Sequence, residues 1–191
     1  HMATGNLPAF QRYFAQARDM KQRLPRTASR PSGGANLLIN GGFEDGIVFP
    51  WGTGHYEKTD GKFNFGLWWN SMNARAFMKV DTAEVYTGRK ALRMTSYSPS
   101  QPHVFTTISQ RISGLKPNTL YKLSCRIKGR DVPSGAALLT VDAAWGKRFA
   151  MPPGTYDWTP FSVTVNISHN DYIDFRIVYQ STGALWLDDI A

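Results

Sequence analysis

From residue 91 onward, apolar and polar side chains alternate with a period of two in run after run. Tyr121, Leu123, Cys125 and Ile127 fall on one side of such a run, with Lys122, Ser124, Arg126 and Lys128 on the other. Phe161, Val163, Val165 and Ile167 oppose Ser162, Thr164 and Asn166. Ile173, Phe175, Ile177 and Tyr179 oppose Asp174, Arg176, Val178 and Gln180. Successive side chains of a strand point to opposite faces, so this pattern puts one face in a core and the other in water. It predicts strands over 91–97, 104–112, 120–128, 137–145, 161–167, 172–180 and 184–188. Turn residues separate them at the spacing of a sandwich of two antiparallel sheets.

Two stretches at the ends of this region carry chemistry. Asn36-Leu37-Leu38-Ile39 leads into Asn40-Gly41-Gly42, where glycine supplies turn conformations, and then into Phe43-Glu44-Asp45. The apolar run Leu37–Ile39 is long enough for one short strand. The following turn can aim carboxylates and carbonyls at a single hard cation, the donor type calcium accepts. At the far end, Gly183-Ala184-Leu185-Trp186-Leu187-Asp188-Asp189-Ile190 reads as a strand closed by two more carboxylates.

Together with Thr87-Gly88-Arg89-Lys90-Ala91-Leu92-Arg93-Met94 and Ile112-Ser113-Gly114-Leu115-Lys116-Pro117-Asn118-Thr119-Leu120-Tyr121-Lys122-Leu123-Ser124, these stretches resemble carbohydrate-binding modules of the family 4/9/16/22 type. Four motifs stand in that family's order, over residues 36 to 191. The resemblance implies a galactose-binding-like jelly roll without catalytic activity. It also implies a structural calcium held by Glu44, Asp189 and the Lys90 carbonyl, with Asp45 and Asp188 as substitutes. The alternative for these acids is that they cap turns by accepting backbone N–H bonds with no metal. The resemblance further places the sugar site on the concave face of one sheet, on the strands at 120–128, 137–145 and 172–180. The outward residues there are Arg126, Asp142, Arg176 and Gln180, with Trp68, Trp69 and Trp145 as aromatic walls. A sugar ring stacked on tryptophan gains apolar burial and C–H contacts. Trp145 shares a phase with Leu139 and Val141 and could equally be core, whereas Trp186 is expected in the core. Family members present aromatics where this chain has arginines and an aspartate. Either the ligand is an acidic glycan, which arginine grips bidentately, or the face is only a charged surface.

Residues 1–35 are expected to be a separate segment. His1-Met2 is an expression remnant, so a missing signal peptide has no meaning. A helix is predicted over 7–24, with Phe10, Phe14, Ala17 and Met20 on one stripe, ended by Pro25 and followed by a Ser/Pro/Gly/Arg linker. The chain's net charge of +8 would suit a nucleic-acid binder. However, residues 1–35 hold six Lys or Arg against one Asp, so +5 sits in that segment and only +3 in the rest. No nucleic-acid surface is expected, and no apolar run approaches the length of a membrane span. One cysteine among 191 residues excludes an internal disulfide.

Residues 46–80 do not alternate, yet hold Trp51, His55, Tyr56, Phe63, Phe65, Trp68, Trp69 and Phe77. So many rings in a long connection point to a functional loop or to one folded back on the body. No nucleophile elbow, P-loop, dinucleotide fingerprint or HExxH occurs, and the histidines are scattered. Alternation and the resemblance together imply an all-β jelly-roll sandwich behind a helical connector, the jelly roll resting on the resemblance. It would act as a non-catalytic module that brings a larger secreted or surface-attached bacterial protein onto a polysaccharide. The alternative is a structural module that packs against neighbouring domains of its parent and binds no sugar.

Overall fold

The computed structural model describes residues 36–59, 62–65, 77–95, 105–141, 146–167 and 171–191. Residues 36–191 form one compact unit. The helix expected over 7–24 lies outside the described residues.

Among the described residues eleven strands occur: β1 (Gly52–Thr59), β2 (Lys62–Phe65), β3 (Met78–Asp81), β4 (Ala91–Thr95), β5 (Phe105–Ser113), β6 (Thr119–Val132), β7 (Ala137–Val141), β8 (Lys147–Ala150), β9 (Gly154–Ile167), β10 (Tyr172–Tyr179) and β11 (Ala184–Asp188). They form two antiparallel sheets, one of six strands in the order β2-β1-β5-β10-β7-β8 and one of five in the order β3-β4-β11-β6-β9. This is the expected β-sandwich. Its core is what the alternation anticipates. Leu92, Met94, Leu123, Cys125, Ile127, Leu185 and Leu187 of the five-stranded sheet meet Ile108, Leu139, Val141, Ile173, Phe175, Ile177 and Tyr179 of the other. Burial pushes the Cys125 thiol up to about 12, so it stays protonated and behaves as a small apolar side chain.

Three expectations need correction. Residues 46–80 are not one long connection, because β1 and β2 pair with each other and β1 extends the sheet beyond β5. Gly52, Thr53 and Gly54 are all buried, so small residues stand where a polar/apolar alternation would have betrayed the strand. Trp51, from the same region, is a core residue. Its ring lies 5.2 Å from Phe43 and 6.1 Å from Phe175, and its Nε1–H donates to the Asn40 carbonyl.

Second, Leu37–Ile39 is not a strand. Leu38 enters the core while Leu37 and Ile39 stay exposed. The Ile39 backbone bonds to a side chain instead: its N–H donates to Gln110 Oε1 (2.9 Å), and Gln110 Nε2 donates to its carbonyl (3.0 Å). Third, the strands at 120–128, 137–145 and 172–180 do not share a sheet. Strand β10 lies between β5 and β7, whereas β6 lies between β11 and β9 in the opposite layer. Alternation shows which side of a strand is apolar and says nothing about which strands are neighbours.

Candidate functional site

Three places in the sandwich gather polar or aromatic groups. The first is a clasp at one end. The pairing of Gly41 with the closing segment is direct: Ile190 N–H donates to the Gly41 carbonyl (3.1 Å), and Asn36 Nδ2 donates to the Ile190 carbonyl (2.9 Å). Beside it, Glu44 Oε1 accepts the N–H groups of Arg89 (2.8 Å) and Lys90 (3.1 Å), and Lys90 Nζ donates to the Glu44 carbonyl (2.5 Å). Gly88 has φ +68°, and a Cβ there would meet Glu44 Oε1, so only glycine lets the carboxylate reach those two amides. Asp188, with 0% exposure, accepts from Tyr86 N–H and Thr87 N–H at 3.0 Å each and from Asp189 N–H at 2.7 Å. Thr87 Oγ1 donates to Asp189 Oδ1 (2.7 Å). Glu44, Lys90, Asp188 and Asp189 are thus drawn into one end of the sandwich, where they lace the segments 40–46, 84–90 and 188–190 together.

The donor chemistry of that end fits calcium in kind, being carboxylate and carbonyl oxygen. Much of it is spent within the protein, with Glu44 Oε1 on two amides and the Lys90 ammonium on the Glu44 carbonyl. Among the described residues no three Asp, Glu, His or Cys side chains gather in a metal-binding arrangement. Calcium would therefore rely on backbone carbonyls as well as Glu44 and Asp189.

The amides of Arg89 and Lys90 hold the Glu44 carboxyl below its ordinary 4.5. Burial works against the charge of Asp81. The Trp186 Nε1–H and the amides of Ala83 and Glu84 outweigh it and bring this carboxyl below 3.8. The Trp158 amide and Lys128 do the same for Asp157. Asp188 goes the other way, because burial raises it despite its three amide donors. A depressed carboxylate contributes stability above its unfolded value and loses it as pH falls through its folded value. A raised one contributes in the opposite sense, so Asp188 opposes the other three. The melting temperature is expected to hold from neutral pH to about pH 5 and then to decline shallowly below about pH 4.5, since two of the carboxylates are exposed and screened. Circular dichroism melts between pH 7 and 3 check this, and a midpoint that climbs steadily into acid would contradict it.

The second place is the outward face of the six-stranded sheet. Arg176 projects there from β10, opposite Ser109 of β5 and Thr140 of β7. It is only 3% exposed, and Thr107, Thr140 and Val178 around it are buried as well. Toward one end of these central strands Arg111 makes a two-pronged pair with Asp174, Nε to Oδ1 at 2.7 Å and Nη2 to Oδ2 at 2.8 Å, with its guanidinium 4.4 Å from the Tyr172 ring. Gln180 follows the end of β10. Its Nε2 donates to the Gly135 carbonyl and its N–H to the Ala136 carbonyl, which fastens the turn before β7. Trp68, Trp69, Asp142 and Trp145 lie outside the described residues.

The third place is the outward face of the five-stranded sheet, and Arg126 is there, on the opposite side of the sandwich from Arg176. Its guanidinium lies 4.6 Å from the Tyr86 ring, and Tyr86 in turn lies 5.8 Å from Trp158. Trp186 is buried as expected (3% exposed), although not in the core. It projects outward between Arg93 and Arg130, whose guanidinium carbons stand 5.3 and 5.4 Å from its ring, and its Nε1–H donates to Asp81 Oδ2 (2.8 Å). Arginine stems and planar heads thus cover an indole that faces solvent by strand parity. Lys128 Nζ bridges Glu84 (2.9 Å) and Asp157 (3.2 Å). Sequence reasoning missed Tyr86, Trp158, Arg93 and Arg130. Arg93 and Arg130 could have been found, since Arg93 stands between Leu92 and Met94 on the polar side of its strand and Arg130 shares the parity of Arg126 on β6.

No protein-family model and no curated protein sequence matches the chain. Solved structures do. A family 61 carbohydrate-binding module in complex with β-1,4-galactotriose superposes with a TM-score of 0.55 at 18% identity, over 82% of this chain and 97% of that one. The xylan-binding CBM22-1 domain of Paenibacillus barcinonensis Xyn10C gives 0.51 at 15%, over 84% and 95%. The enzymatically active domain of bacteriophage CBA120 tailspike protein 4 gives 0.56 at 11%, and there the match covers 81% of this chain but 21% of the other. At these identities the likeness concerns the fold, and the fold of the described residues is that of carbohydrate-binding modules of the jelly-roll type.

Proposed function

We propose that the chain is a non-catalytic carbohydrate-binding module that brings a larger secreted or cell-surface protein onto a polysaccharide, raising local concentration by attachment. The observation that carries this is the likeness, over nearly the whole of each module, to structures described as galactotriose-bound and xylan-binding. In this reading Arg176 and Gln180 contribute from the six-stranded sheet, together with Asp142 and the rings of Trp68, Trp69 and Trp145. Glu44, Asp189 and the Lys90 carbonyl hold a structural calcium that ties the first and last segments and does not touch the sugar.

One observation favours the alternative, a structural module that binds no sugar. The centre of the outward face of the six-stranded sheet is as buried as the core, with Arg176, Val178, Thr107 and Thr140 all closed to solvent. The fold alone does not separate the two readings.

A glycan array spanning neutral and acidic polysaccharides, run with and without EDTA, separates them. A hit whose affinity falls by about tenfold or more in Trp68→Ala or Trp69→Ala is the expected result, since one lost stacking platform is worth on that order. EDTA is expected to lower the melting temperature and to leave the affinity of the folded protein unchanged. Silence across the array from folded protein would sink the sugar-binding reading.

A further inference from the structure

The outward face of the five-stranded sheet carries three arginines that make no direct ion pair among the described residues. Arg93, Arg126 and Arg130 each lie against an aromatic ring, 5.3, 4.6 and 5.4 Å from Trp186, Tyr86 and Trp186 respectively. Among the described residues none of the three has a carboxylate within ion-pair distance, although Asp81, Glu84 and Asp157 share the face. Asp81 accepts from the Trp186 indole and lies near enough to Arg93 for that charge to favour its own, while the other two acids pair with Lys128. Arg93 Nε is buried with no hydrogen-bond partner. A guanidinium that packs against a ring keeps forked N–H donors at its edge. Such an edge matches a carboxylate or sulfate oxygen pair. Next to it, Tyr86 (39% exposed) and Trp158 offer ring surface of the kind on which a sugar packs.

We infer that this face is a second ligand-binding surface, for an anionic polysaccharide. Arg126 and Arg130 take the acidic groups, Tyr86 and Trp158 carry the apolar faces of the sugar rings, and Arg93 completes the cationic line across Trp186. It lies on the opposite layer from the surface proposed above and stands independently of it. The charge spacing favours a sparsely charged chain over a nucleic acid. Arg126 and Arg130 are four residues apart on β6, about 13 Å at the rise of a strand, whereas duplex DNA carries a charge every ~1.7 Å of axis. The three carboxylates on the same face would repel so dense a polyanion.

The test titrates the chain with polygalacturonate for uronate, dextran sulfate for sulfate ester, and neutral β-1,4-galactan, at one fixed low salt concentration. One of the two anionic polymers is expected to bind, and the responding arm identifies the acidic group. Arg126→Ala/Arg130→Ala is expected to weaken that binding about tenfold or more, and Arg126→Lys/Arg130→Lys to restore only a minor part, because lysine keeps the charge and loses the fork. The exposed single change Arg130→Glu serves where the double variant fails to fold, with the same loss expected. Quenching of Trp158 fluorescence by the polymer, abolished in Trp158→Phe, reports contact with this face directly. Undiminished anionic binding in Arg130→Glu, full rescue by lysine, loss of the same binding in Trp68→Ala, or tighter binding of duplex DNA than of either polysaccharide would each overturn the inference. Binding of the neutral polymer that is lost in Trp68→Ala and kept in Arg130→Glu belongs to the first surface and leaves this one to be decided by the anionic arms.

Discussion

Replacing Asp188 by alanine is expected to lower the free energy of unfolding by about 3–5 kcal/mol, near the upper end of what single substitutions do. The side chain is fully buried and receives three amide hydrogens, from Tyr86, Thr87 and Asp189. Alanine leaves all three without an acceptor, and each orphaned buried donor costs on the order of 1–3 kcal/mol less whatever water can recover. It also releases the 84–87 segment, on which Tyr86 and Glu84 depend for their places against Arg126 and Lys128. Asp188→Asn keeps the shape and one acceptor oxygen, so it should lose roughly half as much. Urea unfolding in the presence of EDTA measures both, and EDTA removes any part that a bound cation plays. A loss below about 1 kcal/mol for the alanine variant would show that water replaces the carboxylate and that the clasp holds without it.

Gly183→Ala is expected to be comparably severe, for a different reason. The residue has φ +88°, which already costs a side chain-bearing residue about 1–2 kcal/mol. A Cβ at this position would also stand 2.6 Å from the Arg130 carbonyl oxygen and closer still to that of Asp131, both of them backbone atoms that cannot swing aside. The turn before β11 and the bulged end of β6 would have to separate, and a total of about 3 kcal/mol or more follows. Gly135→Ala is the internal control. Its φ is +73° but no atom lies within 4 Å of its Cβ direction, so only the conformational part, about 1–2 kcal/mol, should be lost. Equal losses at the two glycines would refute the close-contact argument.

The contrast between the two layers shows what the sequence could and could not convey. Strands β6 and β10 and the second half of β9 alternate cleanly, and the core faces of Leu123, Ile127, Phe175 and Ile177 were legible from that alone. Strand β1 was not, because Gly52 and Gly54 place no side chain where the pattern would be read. Leu37–Ile39 failed in the other direction. It is apolar enough for a strand, yet its ladder partner is the amide of Gln110, a long-range side-chain contact that no local pattern encodes. At one end of the sandwich, Glu44, Asp188, Asp189 and Lys90 were recognisable because their motifs are contiguous in the chain. The Arg126–Tyr86–Trp158 assembly was not, since it joins β6, a loop and β9 across roughly 70 residues of sequence. The same gap put Arg126 and Arg176 on one face in expectation and on opposite faces in fact. Parity is local, whereas sheet membership is topological.

That topology also governs when the fold can come together. Strand β11 is the latest of the described strands in the chain, yet it occupies the middle of its sheet, between β4 and β6. Until residues 184–188 are in place, β3–β4 and β6–β9 are two separate antiparallel pairs with unpaired edges. The contacts that join them span large separations, such as Asn36 to Ile190 across 154 positions. Closing such loops must precede the burial that rewards it, so folding should be slow for a domain of this size, in the millisecond-to-second range of sandwich proteins. The half-assembled state exposes two strand edges, those of β4 and β6, which are fit to pair with another copy of the chain. The strand that completes the sheet is therefore also the one that takes those edges out of circulation.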